Sequence, residues 1–345
     1  MKIEQIIKQG YATDDLQTCP GRIPYLSSMK NAVFLFSVAV ISCLSSNGQE
    51  TLYRELPAEV KSADATLHGS LMLPASDARK LTVCLIISGS GPTDRDGNNP
   101  YMKNQSLKMI AQSLADSGIA SLRYDKRGIG ESAIPGLSQK NLRFEDYIHD
   151  AEAWIDTLRK DPRFNRIVVA GHSEGSLIGM IASQKHVDGF ISLSGAGKPA
   201  SRILKDQLAS NAPAYAVKSR VIIDSLALGL LVKDVPKELY VVFSPDLMPY
   251  LISWFKYDPA VEIAKLQIPT LIVQGGSDLQ VTVEDADLLS KAHMGSREII
   301  IPEMNHVLKK VKEDRSDNLT SYNDPNRPLH PDLIPPLIDF IRSLK

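Results

Sequence analysis

The feature that most constrains the fold is an abrupt change of character around Gly171. Before it runs Ile167-Val168-Val169-Ala170, an apolar, β-branched segment suited to a strand buried on both faces. From Gly175 runs Gly175-Ser176-Leu177-Ile178-Gly179-Met180-Ile181-Ala182, which is compatible with a helix. The segment Gly171-His172-Ser173-Glu174-Gly175 joins the two. A strand that becomes a helix over so short a span needs a tight, strained turn. Glycines two residues before and two after Ser173 meet that need, because a Cβ at either flank would strike neighbouring backbone. The serine is then presented at the carboxyl end of a strand. An ordinary exposed serine in a turn is the bland alternative, and the flanking pattern argues against it.

The same alternation recurs from Thr51 onward and predicts a mostly parallel sheet with helices on both faces. Residues about 51–74 read as antiparallel edge strands, in which Ala65 to Leu73 alternate until Pro74 stops the run. Val83-Cys84-Leu85-Ile86-Ile87 reads as a buried strand opening into the turn-rich segment Ser88 to Gly97. Helices are expected near 103–117, 145–160 and 282–293 and from Asp332 onward. Further strands are expected near 120–124, 190–193, 270–273 and 298–301. Between Lys198 and Ala264 the alternation gives way to helical patterns broken by prolines, such as the apolar positions Val221, Ile222, Ile223, Leu226 and Leu230. The predicted organisation is therefore an extension over 1–50, a core from 51–197 completed by 265–345, and an inserted helical cap over 198–264.

A serine hydroxyl is a poor nucleophile until a base removes its proton, and the base must be oriented by an acid. On a sheet of this kind the three follow in the order serine, acid, histidine, each on a loop after a strand. Asp278 follows the strand at 270–274 and His306 follows the strand at 298–301. Among the rival histidines, His68 lies in an edge hairpin, His149 and His186 read as helical and His172 lies inside the turn. His293 ends a helix and His330 falls beyond the last loop. Asp285 and Asp287 fall in the helix after Asp278, and Asp188 and Glu303 are weaker candidates. An oxyanion formed at Ser173 needs two backbone donors. The N–H of Glu174 is one, and the N–H of Ser90, in the glycine-rich loop after the first buried strand, is the other. The Glu174 side chain is expected to pair with a basic loop residue such as Arg95.

Composition removes several other classes of function. With 39 Lys and Arg against 40 Asp and Glu in 345 residues, the formal charge of −1 leaves no electrostatic footprint for nucleic acid or an anionic membrane surface. No stable protein partner is implied. Cys19, Cys43 and Cys84 are too scattered for a disulfide framework, and no Cys/His group has zinc-ligand spacing. Neither a metal nor any other cofactor is expected.

At the N-terminus, Met29-Lys30-Asn31 precedes an apolar run from Ala32 through Cys43 and a polar end at Ser45-Ser46-Asn47-Gly48-Gln49. This reads as an export signal cleaved near Gln49. Residues 1–28 do not fit it, and one reading starts translation at Met29. Val40-Ile41-Ser42-Cys43 also reads as a lipobox, which would make Cys43 a lipid anchor; a buried or discarded cysteine is the alternative.

Taken together, Gly89-Ser90-Gly91-Pro92-x-Asp94-Arg95-Asp96, Tyr124-Asp125-x-Arg127-Gly128-x-Gly130-x-Ser132, Gly171-His172-Ser173-Glu174-Gly175, the loop with Asp278, and Asn305-His306 resemble the EstD-type carboxylesterases of the α/β-hydrolase superfamily, near the serine-aminopeptidase-like hydrolases. The resemblance runs from about residue 51 to the end. It implies an α/β-hydrolase fold with an eight-stranded-type sheet and a cap, activity on short acyl esters, and a triad of Ser173, Asp278 and His306. The segment Asp125 to Ser132 is expected to fix a loop near the site rather than to react. Rival readings are a serine-aminopeptidase-like exopeptidase and a noncatalytic binding protein on the same fold.

Overall fold

A computed structural model of the chain describes residues 53–75, 80–312 and 314–344. The expected export signal and Cys43 lie outside the described residues. Among the described residues no helix is long and apolar enough to cross a membrane.

Among the described residues eight strands form one sheet: β1 (Tyr53–Ser62), β2 (Ala65–Pro74), β3 (Leu81–Ile87), β4 (Ala120–Tyr124), β5 (Phe164–His172), β6 (Gly189–Leu193), β7 (Thr270–Gly275) and β8 (Arg297–Ile301). Their order across the sheet is β1-β2-β4-β3-β5-β6-β7-β8. The hairpin β1–β2 joins β4 antiparallel, and every pairing from β4 to β8 is parallel. Parallel neighbours need long crossovers, and helices supply them.

The period of two along each strand sends alternate side chains to opposite faces. In β3, Val83, Leu85 and Ile87 enter one apolar cluster while Cys84 and Ile86 enter the other. The first cluster is covered by helices α2 (Phe144–Lys160) and α3 (Glu174–Ala182). The second is covered by α1 (Ser106–Asp116) and the terminal α11 (Ile334–Ser343). Helical spacing explains the fit: α1 buries Leu107, Ile110, Ala111 and Leu114, and α2 buries Phe144, Tyr147, Ile148, Ala151, Trp154, Ile155 and Leu158. Each such aliphatic side chain contributes about 1.5–3 kcal/mol by leaving water.

Between β6 and β7 the chain is helical, with α4 (Ala200–Asn211), α5 (Ala216–Ala227), α6 (Tyr240–Phe243), α7 (Met248–Trp254) and α8 (Pro259–Ile263). Leu204, Leu208, Ile222, Leu226, Phe243 and Leu251 from this segment share the cluster with α2 and α3, so the insertion packs onto the sheet's apolar core. After β7 come α9 (Val283–Ala292), then β8, then α10 (Arg315–Thr320) and α11.

Candidate active site

Ser173 sits where β5 meets α3, as the sequence pattern predicts. Its backbone has φ 54° and ψ −121°, a conformation a non-glycine residue holds only under strain of roughly 1–3 kcal/mol. The flanking glycines are required by the backbone around them. A Cβ on Gly171 would collide with the carbonyl of Gly175, and one on Gly175 would lie 2.5 Å from the carbonyl oxygen of Ile87 and 2.6 Å from that of Ser88. The turn is held by the Ser173 N–H, which donates to the Leu193 carbonyl at 2.9 Å.

Asp278 and His306 come from the ends of β7 and β8, and their side chains meet. His306 Nδ1 lies 2.8 Å from Asp278 Oδ2, with the carboxylate fully buried. The other carboxylate oxygen accepts the backbone N–H groups of Gln280 at 2.8 Å and Val281 at 3.0 Å, and Gln274 Nε2 donates to Oδ2 at 3.1 Å. Burial is the largest influence on this carboxyl and opposes its ionisation. The charge and hydrogen bond of His306 and the N–H groups of Val281 and Gln280 outweigh it, holding the group below its ordinary range.

The loops carrying this pair are tied to each other. Gly276 N–H donates to Ile301 O at 2.8 Å and Ser277 N–H to Met304 O at 3.0 Å. Asn318 Nδ2 donates to Ser277 O at 2.7 Å and Asn305 Nδ2 donates to Asn318 Oδ1 at 3.2 Å. The second residue of the turn joins in: His172 Nε2 bonds the main-chain carbonyl of His306 at 2.8 Å, and the two rings lie 4.9 Å apart. That acceptor makes Nε2 the protonated nitrogen of a neutral ring. Burial first, and then the neighbouring His306, hold the pKa of His172 down to about 4.

Ser173 and Ser90 border two neighbouring spaces. A cavity of about 390 Å³ is walled by Ser90, Ser173, Glu174 and Leu177 together with Ile203, Gln207 and Trp254 from the insertion. A recess of about 30 Å³ shares Ser90, Ser173 and Gln280 with it and adds Gly89, His172 and His306. Serine and histidine therefore face a common space. Glu174 opens α3, so its N–H is among the first-turn donors that have no partner within the helix. A Cβ added to Gly89 would lie 3.2 Å from Ser173 Cβ, which shows how closely the loop after β3 passes the serine.

The rival carboxylates are occupied elsewhere. Asp285 caps α9 through Thr282 and accepts the N–H of Gly197 at 3.1 Å, while Asp188 accepts the N–H of Ile167 at 2.7 Å and pairs with Arg159. His149 is on the exposed face of α2, and His186 lies in a bend with φ 59° after α3 rather than in a helix.

The Glu174 side chain pairs with a basic loop residue, as expected, but that residue is Lys126 and not Arg95. Arg95 is committed to Asp125 at 2.7 Å and to Glu131 at 2.5 Å. Glu174 instead takes Lys126 Nζ at 3.2 Å and the Tyr250 hydroxyl at 3.0 Å. Lys126 is only 1 % exposed and also donates to Gly89 O at 2.5 Å. Its only trace in the sequence is its place between Asp125 and Arg127. Asp125 itself fixes its loop, accepting the N–H groups of Arg95 at 2.8 Å and Glu131 at 3.0 Å.

Comparison with known proteins agrees with this architecture. A family model described as "Serine aminopeptidase, S33" matches residues 103–238. The esterase EstD of Thermotoga maritima is 28 % identical over 250 residues; the match takes in 70 % of this chain and spans 58 % of that relative's length. Two solved structures share the fold at low identity. Est1E from Butyrivibrio proteoclasticus, solved with ferulic acid bound, aligns with a TM-score of 0.53 at 19 % identity over 76 % of this chain and 94 % of its own. The α/β hydrolase GrgF from a Penicillium species aligns with a TM-score of 0.54 at 16 % identity over 84 % and 99 %. With its strand order, its strained serine turn and these likenesses, the chain has an α/β-hydrolase fold.

Proposed function

We propose that the protein is a serine carboxylesterase that hydrolyses short-to-medium acyl esters through an acyl-enzyme on Ser173. The observation that carries the reading is that His306, held by the buried carboxylate of Asp278, lines the same recess as a serine held at positive φ. In this scheme His306 Nε2 takes the proton of Ser173 Oγ as that oxygen attacks the ester carbonyl, while Asp278 holds the Nδ1–H. The N–H groups of Ser90 and Glu174 receive the oxyanion. Collapse expels the alcohol, which takes the proton from His306. Water, deprotonated by the same imidazole, then releases the acid and frees Ser173. The cavity of about 390 Å³ lies toward the small end of ligand sites, which suits a short or medium acyl chain.

The aminopeptidase reading needs an acidic group free to meet a peptide amine. Two carboxylates line the cavity: Glu174 is engaged by Lys126 and Tyr250, whereas Asp206 of the insertion is exposed, so the anilide arm of the assay below decides between the two readings.

A chain-length series of p-nitrophenyl esters beside aminoacyl and prolyl anilides, with Ser173→Ala as control, tests both. Ester turnover that falls by about a thousandfold or more in Ser173→Ala supports the proposal. Unchanged esterase activity in that variant, or turnover of anilides alone, overturns it. We further propose that the mature chain is exported, with cleavage near Gln49 or lipidation at Cys43. The mass of the mature N-terminus separates the two, and an intact Met1 refutes both.

A further inference from the structure

Lys126 has no part in the scheme above, yet its position is unusual. A lysine ammonium is strongly hydrated, and placing one in the interior is costly unless partners replace the lost water. Here the side chain is 1 % exposed and its partner Glu174 is 2 % exposed, while the ammonium lies 5.0 Å from the centre of the Tyr147 ring. Its hydrogen bonds go to two particular groups, the main-chain carbonyl of Gly89 and the carboxylate of Glu174.

Gly89 O and the N–H of Ser90 belong to one peptide unit. No cis peptide occurs among the described residues, so in that planar unit the carbonyl and the N–H point in opposite directions. A donor fixed on Gly89 O therefore sets the direction of the Ser90 N–H. An ammonium on the carbonyl also polarises the amide and strengthens its N–H as a donor. The second bond reaches the residue whose own N–H opens α3 beside Ser173. From there Tyr250 of α7 completes a buried chain, Gly89 O, Lys126, Glu174, Tyr250, that links the loop after β3, the serine turn and the insertion.

We propose that Lys126 is a positioning residue for the oxyanion hole: it orients and polarises the Gly89–Ser90 peptide and locks it to Glu174, so that both backbone donors face the carbonyl oxygen of the bound ester. The proposal rests on the serine-hydrolase reading of Ser173. It predicts a defect confined to states that carry negative charge on that oxygen.

The test uses the full chain. Lys126→Met alone leaves the Glu174 carboxylate buried beside Tyr250, so it is paired with the double variant Lys126→Met/Glu174→Gln, which removes both charges and keeps the protein foldable. Rates are expressed per site titrated with a fluorophosphonate, so that misfolded chains do not count. With p-nitrophenyl butyrate, kcat should fall about 30- to 100-fold in both variants, somewhat less than deletion of a whole donor, while KM changes less than about threefold. Affinity for an alkyl trifluoromethyl ketone, whose serine adduct carries the oxyanion, should fall in parallel. Affinity for the matching methyl ketone should not change, a split that a merely structural lysine would not produce. Retention of kcat and of trifluoromethyl ketone affinity within about threefold in the folded double variant overturns the proposal, as does an equal loss for both ketones. If wild type fails to label at Ser173 and Ser173→Ala stays active, the serine-hydrolase reading itself has failed, and that outcome is recognisable before any Lys126 variant is compared.

Discussion

Replacing Asp278 with Asn should nearly abolish turnover while leaving the fold in place, and the surroundings of the carboxylate dictate why. Oδ1 faces two backbone donors, the N–H groups of Gln280 and Val281. An amide nitrogen cannot take that place, because donor would meet donor. The carbonyl oxygen of Asn must stay there, which puts its NH2 group where Oδ2 now accepts from His306 Nδ1. An NH2 group donates to Nδ1, so the imidazole proton shifts to Nε2, the nitrogen that in the proposed scheme receives the proton of Ser173. A base locked in the wrong tautomer costs about 10⁴ in kcat, or about 5 kcal/mol of transition-state stabilisation. Stability should change little, because the clamp on Oδ1 survives and only the contact from Gln274 at 3.1 Å is lost. The assay is kcat for p-nitrophenyl butyrate per fluorophosphonate-titrated site, beside the urea unfolding midpoint. A folded Asp278→Asn enzyme within about tenfold of wild-type kcat would refute the tautomer argument.

Gly175→Ala should destabilise the protein by on the order of 3 kcal/mol, because the new Cβ meets the carbonyls of Ile87 and Ser88, which are backbone and cannot rotate away; a urea midpoint equal to wild type would contradict this. Arg127→Met should cost roughly 3–5 kcal/mol by stranding Asp150, whose side chain is fully buried and held by Arg127 at 2.7 and 3.0 Å, and Arg127→Met/Asp150→Leu should recover most of the loss in the same unfolding assay. His172 is held down to about 4 from an ordinary value of 6.5, so the unfolded chain binds more protons between those values. Stability should therefore be complete above about pH 6.5 and fall as the pH drops toward 4, by at most about 3 kcal/mol. Urea titrations across that window should show the slope, and His172→Gln should flatten it.

Much of this was legible in the sequence because it is encoded locally. A buried strand, two glycines and a helix at one turn suffice to place Ser173, and the apolar runs at 270–273 and 298–301 end just before the loops that carry Asp278 and His306. What stayed hidden depends on distance along the chain. Lys126 is 37 residues from Gly89 and 48 from Glu174, and Asn318 is 41 from Ser277, so no window of sequence shows them together. For the same reason the basic partner of Glu174 is Lys126 and not Arg95: Asp125 and Glu131, 30 and 36 residues from Arg95, hold its guanidinium. The helices between β6 and β7 were legible as helices, but which of their side chains reach the cavity depends on how they pack over the sheet.

The crossover between β6 and β7 has a consequence for how the protein acquires its chemistry. β6 pairs with β7 through residues 190–193 and 270–273, and everything from 194 to 269 must be gathered before that pairing closes. That loop is as long as the one between β3 and β5, so its closure is no costlier, but it must wait for the later half of the chain. During synthesis the half bearing the serine emerges first and can order its turn before the acid and the base exist as structure. On the proposed mechanism a nascent chain therefore carries Ser173 without its base, and the site would be completed only when the C-terminal strands dock. If the proposed function holds, hydrolytic activity would be a readout of the last step of folding.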